Sequence, residues 1–143
     1  MDEIKKDALL SVRHLTVEYT SEGEVIHAVN DVSFELEKGK TIGLVGETGA
    51  GKTSIAKAIL RILPEPPARV KSGEIWFEGR ELLGLKEEEM RKIRGKNISM
   101  IFQDPMTALN PIMRIGEQIA EVIRLHEKCG KAQSVQKAKE MLE

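Results

Sequence analysis

Apolar positions change period along the chain, and each change predicts an element. In residues 8–19, ALLSVRHLTVEY, Leu15, Val17 and Tyr19 share one face of a strand. Residues 20–24 contain Gly23 and read as a hairpin loop. A second strand region runs to Leu36, with Val32, Phe34 and Leu36 on one face. Glu37-Lys38-Gly39-Lys40 then turns the chain. An antiparallel β layer therefore precedes an α/β core. Residues 41–45, TIGLV, are almost all apolar, the pattern of a buried parallel strand. Ile55, Ile59, Ile62 and Leu63 fall at i, i+4, i+7 and i+8, the stripe of an amphipathic helix. Pro64 ends it.

Beyond it, Pro64-Glu65-Pro66-Pro67 predicts a stiff connection. Residues 73–79, GEIWFEG, predict a short strand bounded by glycines, with Trp76 on a plain sheet edge. Residues 86–94 read as a short surface helix. Glu87 pairs with Arg91 and Glu88 with Lys92 at i,i+4, acid first, and Gly95 follows as the C′ residue. These charges read as a solvated face. Residues 97–102 predict another apolar strand, closed by Gln103-Asp104-Pro105. Ile115, Ile119, Val122 and Ile123 mark a helix. Ala132, Val135, Ala138, Met141 and Leu142 mark a second one after Gly130. That pattern meets Glu143 with no cap, glycine or proline, as expected of a chain cut in mid-element.

Between the strand at 41–45 and its helix lies Gly46-Glu47-Thr48-Gly49-Ala50-Gly51-Lys52-Thr53, which fits G-x-x-x-x-G-K-[ST]. A strand before and a helix after make a chance match a poor account, and the stretch reads as a phosphate-binding loop. The glycines open backbone angles closed to other residues and let the main chain approach a ligand. The loop's N–H groups and the helix N-terminus then face phosphate oxygens. Lys52 can reach the β- and γ-phosphates as a point charge. The Thr53 hydroxyl is a hard oxygen donor suited to Mg²⁺.

Gln103 closes a strand at the end where α/β sheets hold their ligands. It could bond a Mg²⁺-bound or nucleophilic water, or be a polar residue that ends a strand. The residues alone favour the second. His126 and Cys129, at i,i+3, lack the second pair that structural zinc needs, and read as ordinary helix-end residues.

Composition narrows the classes. The chain has 143 residues, 41% hydrophobic and 31% charged, enough for one domain with a core. A net charge of −1 gives no electrostatic case for nucleic acid or an anionic membrane as direct partner. Cys129 is the sole cysteine, which excludes an internal disulfide framework and fits a reducing compartment. MDEIKKD lacks the apolar run of a signal peptide, and no apolar run is long enough to span a bilayer. A membrane role would therefore act through another subunit.

Taken together, these stretches resemble one family. AVNDVSFELEKG, GETGAGKTS, SGEIWFEG and RKIRGKNISMIFQDPMTALNPIMRIGEQIAE are similar to the N-terminal part of an ABC-transporter ATP-binding subunit, of the dipeptide and oligopeptide importer type. The resemblance covers nearly the whole chain and is most specific in FQDP, T-x-L-N-P and IGEQI. It implies an α/β P-loop NTPase fold, the ABC-type ATP-binding domain. An antiparallel β layer and part of a parallel core would occupy residues 1–111, and the start of the helical subdomain residues 112–143.

The resemblance also implies roles. Tyr19 matches the aromatic that stacks on adenine, although by itself it reads as a core or hairpin tyrosine. Gly46, Glu47, Thr48, Gly49, Ala50, Gly51, Lys52, Thr53 and Ser54 match the phosphate loop and its neighbour near the α-phosphate. Gln103 matches the Q-loop glutamine, at the Mg²⁺/water site and beside the docked membrane subunit. Lys52 and Gln103 are thus the catalytic candidates, and Thr53 and Gln103 the candidates for Mg²⁺. The signature motif, the catalytic glutamate and the switch histidine of the family would lie beyond Glu143. His14, His27 and His126 match no catalytic position.

The implied activity is ATP hydrolysis coupled to uptake of peptides or related solutes, with ATP and Mg²⁺. The implied partners are transmembrane permease subunits, a second ATP-binding subunit and, indirectly, an extracytoplasmic solute-binding protein. Nucleic acid is not among them. The implied place is the cytoplasmic face of the membrane. Two other classes stand beside this one: a soluble ABC ATPase without transport, and a non-catalytic nucleotide-binding fragment. The chain alone is expected to bind nucleotide weakly and not to turn ATP over, because strands flanking those at 41–45 and 97–102 would be missing.

Overall fold

The computed structural model describes residues 8–104 and 109–143. The chain divides into two compact units, Met1–Glu87 and Glu88–Glu143. The MDEIKKD terminus, and Pro105 and Thr107 of the FQDPMTALNP stretch, lie outside the described residues.

The first unit is built on an antiparallel sheet of β1 (Ala8–Ser21), β2 (Glu24–Glu37), β3 (Ala68–Phe77) and β4 (Arg80–Glu81). Their order across the sheet is β2-β1-β3-β4. The β1–β2 hairpin is the predicted one, with pairing carried to Ser21 and Glu24. Glu22 and Gly23 have φ of 51° and 86°. Positive φ at both central residues gives a two-residue turn the twist of its strands. Leu15, Val17 and Ile75 lose all exposed surface, and each such side chain contributes about 1.5–3 kcal/mol of hydrophobic transfer.

The third strand differs from its prediction. It begins at Ala68 and runs through Gly73, not from it. Gly73 has φ 109°, and an added Cβ would fall 2.6 Å from Leu15 Cα and 2.7 Å from two carbonyl oxygens of β1. Opposite it, the β1–β3 register slips between Arg13 and Thr16, as at a bulge. The missing side chain is what lets the two strands touch there. Gly73→Ala is expected to cost about 2–4 kcal/mol of unfolding free energy, read by denaturant titration. A change within about 0.5 kcal/mol would place the variant among ordinary surface substitutions and refute the contact's importance. Trp76 is not on an open edge. It pairs with Ser11 on β1 and Glu81 on β4, and its Nε1 donates to Glu74 Oε2 at 2.8 Å.

Helix α1 (Lys52–Ile59) packs on β1 and β2 and buries Ile55 and Ala58. It stops before the stripe reaches Ile62 and Leu63. The Arg61 N–H donates to Ala58 O at 3.0 Å and the Ile62 N–H to Lys57 O at 2.9 Å, the paired bonds of a Schellman closure. Arg61 takes the left-handed position, at φ 51°. Its guanidinium donates to the carbonyls of Leu82, at 3.1 Å, and Leu85, at 2.6 Å. These bonds hold a conformation usually left to glycine.

The two stretches predicted as parallel strands are not strands. Residues 41–45 are coil, and Val45 is 98% exposed. In residues 97–102 a single parallel bridge joins Ile98 to Arg94, and Ile101 is 95% exposed. A parallel strand draws its hydrogen bonds from neighbours along both edges. Among the described residues no strand pairs with either stretch, so apolar sequence alone closes no ladder.

Helix α2 (Glu87–Ile93) buries Met90 and Ile93, and Gly95 follows it as predicted. In the second unit α3 (Ile115–Glu127) and α4 (Lys131–Glu140) pack through Ala120, Ile123 and Ala138, with Cys129 partly buried against them. The predicted α4 stripe is only partly right, because Val135, Met141 and Leu142 are exposed. Ser134 is buried instead: Arg124 Nη1 donates to its Oγ at 3.2 Å, and the Oγ donates to Lys131 O at 2.9 Å. Lys137 bonds Glu127, and that contact raises the lysine's pKa. No helix among the described residues is long and apolar enough to cross a membrane.

Candidate functional site: a glycine loop at the start of α1

The residues between β2 and α1 place the candidate site. Lys38 and Gly39 turn the chain out of β2, with the Lys40 N–H returning to Glu37 O at 3.1 Å. Coil leads to Gly46, and a turn closes where the Ala50 N–H donates to Glu47 O at 3.2 Å. Gly51, at φ 80°, caps α1 and offers no side chain to its amides. A Cβ there would lie 2.1 Å from Ala28 O, on β2. The end of the loop is thus pressed against the sheet at a spot only glycine fits.

The first helical rung runs from the Ile55 N–H to Gly51 O at 2.9 Å. The amides of Lys52, Thr53 and Ser54 come before it and have no intrahelical acceptor. The first turn of α1 contains no acidic side chain, so no carboxylate of the helix's own first turn opposes an anion there.

Lys52 folds back over the loop. Its Nζ donates to Gly46 O at 2.7 Å and to Glu47 O at 2.6 Å. An ammonium has three donors, and these bonds leave one for an incoming oxygen. Thr53 is exposed on the same turn. Tyr19, near the end of β1, brings its hydroxyl to 3.3 Å from Ser54 Oγ. The structure therefore gathers Tyr19, the glycine loop, Lys52, Thr53 and Ser54 within the first unit. Gln103 sits on an exposed bend in the second unit.

A cleft of about 580 Å³ lies elsewhere, at the C-terminal end of α1, where Arg61, Arg69 and Lys71 contribute to its lining. Helix C-termini disfavour anions, and no residue of the glycine loop lines this cleft. It is separate from the candidate site.

Sequence reading passed over Glu18. Its side chain is 1% exposed, yet Lys71 Nζ reaches Oε1 at 2.5 Å and Arg69 Nη2 reaches Oε2 at 2.9 Å. The Lys71 hydrogen bond, helped by Arg69, holds the carboxyl below its ordinary pKa against the opposing pull of desolvation. Stability from this shift is present above the unfolded carboxylate's pKa and is lost as pH falls through the folded value. A glutamate within an apolar strand was the available signal.

Comparison with known proteins places this geometry. The family model described as ABC transporter matches residues 29–143. The chain is 46% identical over 140 residues to the oligopeptide transport ATP-binding protein OppD of Bacillus subtilis (strain 168), covering 98% of this chain and 39% of that protein. It is 46% identical over 137 residues to OppD of Escherichia coli (strain K12), covering 96% and 40%. It thus spans about two fifths of the length of these relatives. Among solved structures it matches the ATP-binding cassette MJ0796, a dimer in a post-hydrolysis state bound to ADP and Pi. The TM-score is 0.75 at 19% identity, over 92% of this chain and 54% of that one. That likeness shows the cassette fold. With a family model over most of its length and such identity to its relatives, the chain belongs to the ABC transporter family.

Proposed function

We propose that the chain is the nucleotide-binding part of an importer's ATP-binding subunit, which couples ATP binding and hydrolysis to uptake of peptides or related solutes. The observation that carries the proposal is the junction at Gly51 and Lys52. There a glycine-capped helix, with no acidic side chain in its first turn, meets a lysine already turned onto the loop. The relatives' names, oligopeptide transport ATP-binding proteins, support the solute class.

In this reading the triphosphate lies along residues 46–54. The amides at the start of α1 and the Lys52 ammonium take its negative charge. Tyr19 stacks on the nucleobase through its ring face. Thr53 offers an exposed hydroxyl, a hard donor of the kind Mg²⁺ takes alongside waters. Mg²⁺ would neutralise phosphate charge there, and Gln103 is its second candidate partner. Phosphoryl transfer is mostly positioning and electrostatic stabilisation, so Lys52 acts chiefly by holding charge. Residues 1–111 form the nucleotide-binding core and residues 112–143 open the helical subdomain. Hydrolysis and transport belong to the longer protein, with permease subunits, a second ATP-binding subunit and a solute-binding protein, at the cytoplasmic face of the membrane.

The test is the full-length subunit reconstituted with its permease in liposomes. Peptide and its binding protein should stimulate ATPase activity. Gln103→Ala should leave ATP affinity within about twofold while cutting stimulated turnover by about tenfold or more, the scale of a lost catalytic contact. Full stimulated turnover in that variant would refute the coupling role, and failure of any peptide to stimulate would refute the importer reading.

A further inference from the structure

The end of β1 that carries Tyr19 lies past a register slip on each side, where it stays paired with β2 from Glu18 and His27 to Ser21 and Glu24. The β1–β2 register slips between Val17 and Glu18, and the β1–β3 register between Thr16 and Val17. Past these slips β1 and β3 share few pairs, Glu18 with Arg69 and Tyr19 with Ala68 among them. One further bond, from the Thr20 N–H to Pro67 O at 2.9 Å, closes the corner.

Glu18 is the first residue past the β1–β2 slip and joins three strands. It is paired across the sheet with His27 on β2 and Arg69 on β3. Its Oε1 lies 2.5 Å from Lys71 Nζ and 3.4 Å from His27 Nδ1. Its Oε2 accepts from Arg69 at 2.9 Å and 3.3 Å. A carboxylate with 1% exposure is costly unless paired and hydrogen-bonded. The cations are roughly half exposed or more, at 51% for Lys71 and 63% for Arg69, so the carboxylate needs them more than they need it. Removing it should free their ends of the sheet at small cost to the rest. The next residue is Tyr19, whose hydroxyl meets Ser54 of α1.

We propose that Glu18 is a positioning residue for nucleotide binding: by clamping β2 and β3 to β1 beyond the register slips, it fixes the Tyr19 ring beside the first turn of α1. The proposal rests on the reading of Tyr19 as the nucleobase-stacking residue. Glu18 itself is assigned no contact with base or phosphate. Its effect is therefore selective, felt by ligands that have a base and not by a bare polyphosphate.

The test compares ATP and inorganic tripolyphosphate binding to the full-length protein, for the parent, Tyr19→Ala, Glu18→Gln and Lys71→Gln. Glu18→Gln keeps the shape, removes the charge and turns an amide toward cations. It is expected to weaken ATP about threefold to tenfold, the range an aromatic contact supplies, with tripolyphosphate unchanged. Lys71→Gln, a half-exposed change that keeps the fold if Glu18→Gln does not, should show a smaller loss of the same kind. Tyr19→Ala should lose ATP affinity alone. If it does, and neither other variant shows the selective loss, the proposal is overturned and the stacking role stands. Equal loss of both ligands in Glu18→Gln or Lys71→Gln would make the cluster a general structural element and would also overturn it. If Tyr19→Ala binds ATP normally, the stacking reading fails and the proposal falls with it.

Discussion

Lys52→Ala in the full-length protein is expected to weaken ATP binding by about tenfold to a hundredfold, the worth of hydrogen bonds to a charged group, and to remove measurable hydrolysis. Two losses combine. The triphosphate loses the cation at the mouth of the loop. The Gly46 and Glu47 carbonyls also lose the donor that draws the loop closed. Calorimetric titration with Mg-ATP reads the first, and single-turnover hydrolysis reads the consequence. An affinity within about twofold of the parent, too little for any charged contact, would mean that the phosphates lie elsewhere.

Gly51→Val should have a larger effect on the fold. The new Cβ would meet Ala28 O at 2.1 Å, and the backbone stands at φ 80°, where a β-branched residue is an outlier. The expected loss is about 3 kcal/mol or more of stability, with ATP binding gone. Gly49→Ala is the matched control. Its φ is 85°, but nothing lies within 4 Å of its added Cβ, so it should cost only about 1–2 kcal/mol of backbone strain. Thermal unfolding of the pair separates steric clash from strain. Equal stability in the two variants would contradict the close contact between the loop and β2.

Local signals were the readable ones. The hairpin at Glu22 and Gly23, α2 with its following Gly95, and helix α3 each depend on a few consecutive residues, and each formed where its pattern implies, although Ile115 and Val122 of the α3 stripe are exposed. Non-local pairing was not readable. Residues 41–45 and 97–102 have the composition of central strands, but composition does not supply neighbours, and among the described residues no strand pairs with them. The Schellman closure depends on Arg61 reaching carbonyls of Leu82 and Leu85, far along the chain. Gly73 marked a strand boundary in the sequence and proved to be a contact point within a longer strand.

The site divides in the same way. The loop motif names its own residues, and the fold adds what the motif cannot, the Lys52 bonds to the loop carbonyls and the hydroxyl contact between Tyr19 and Ser54. The Glu18 cluster draws on positions 18, 27, 69 and 71. No sequence window contains it, and only strand pairing brings its charges together.

The central claim is that the amides of the loop and of the first turn of α1 receive the phosphates. Amide hydrogen exchange on the full-length protein, with and without Mg-ATP, reads those N–H groups directly. The predicted result is slowed exchange across residues 49–54 on nucleotide binding, abolished by Lys52→Ala. Nucleotide binding that leaves exchange across residues 46–54 unchanged would contradict the account.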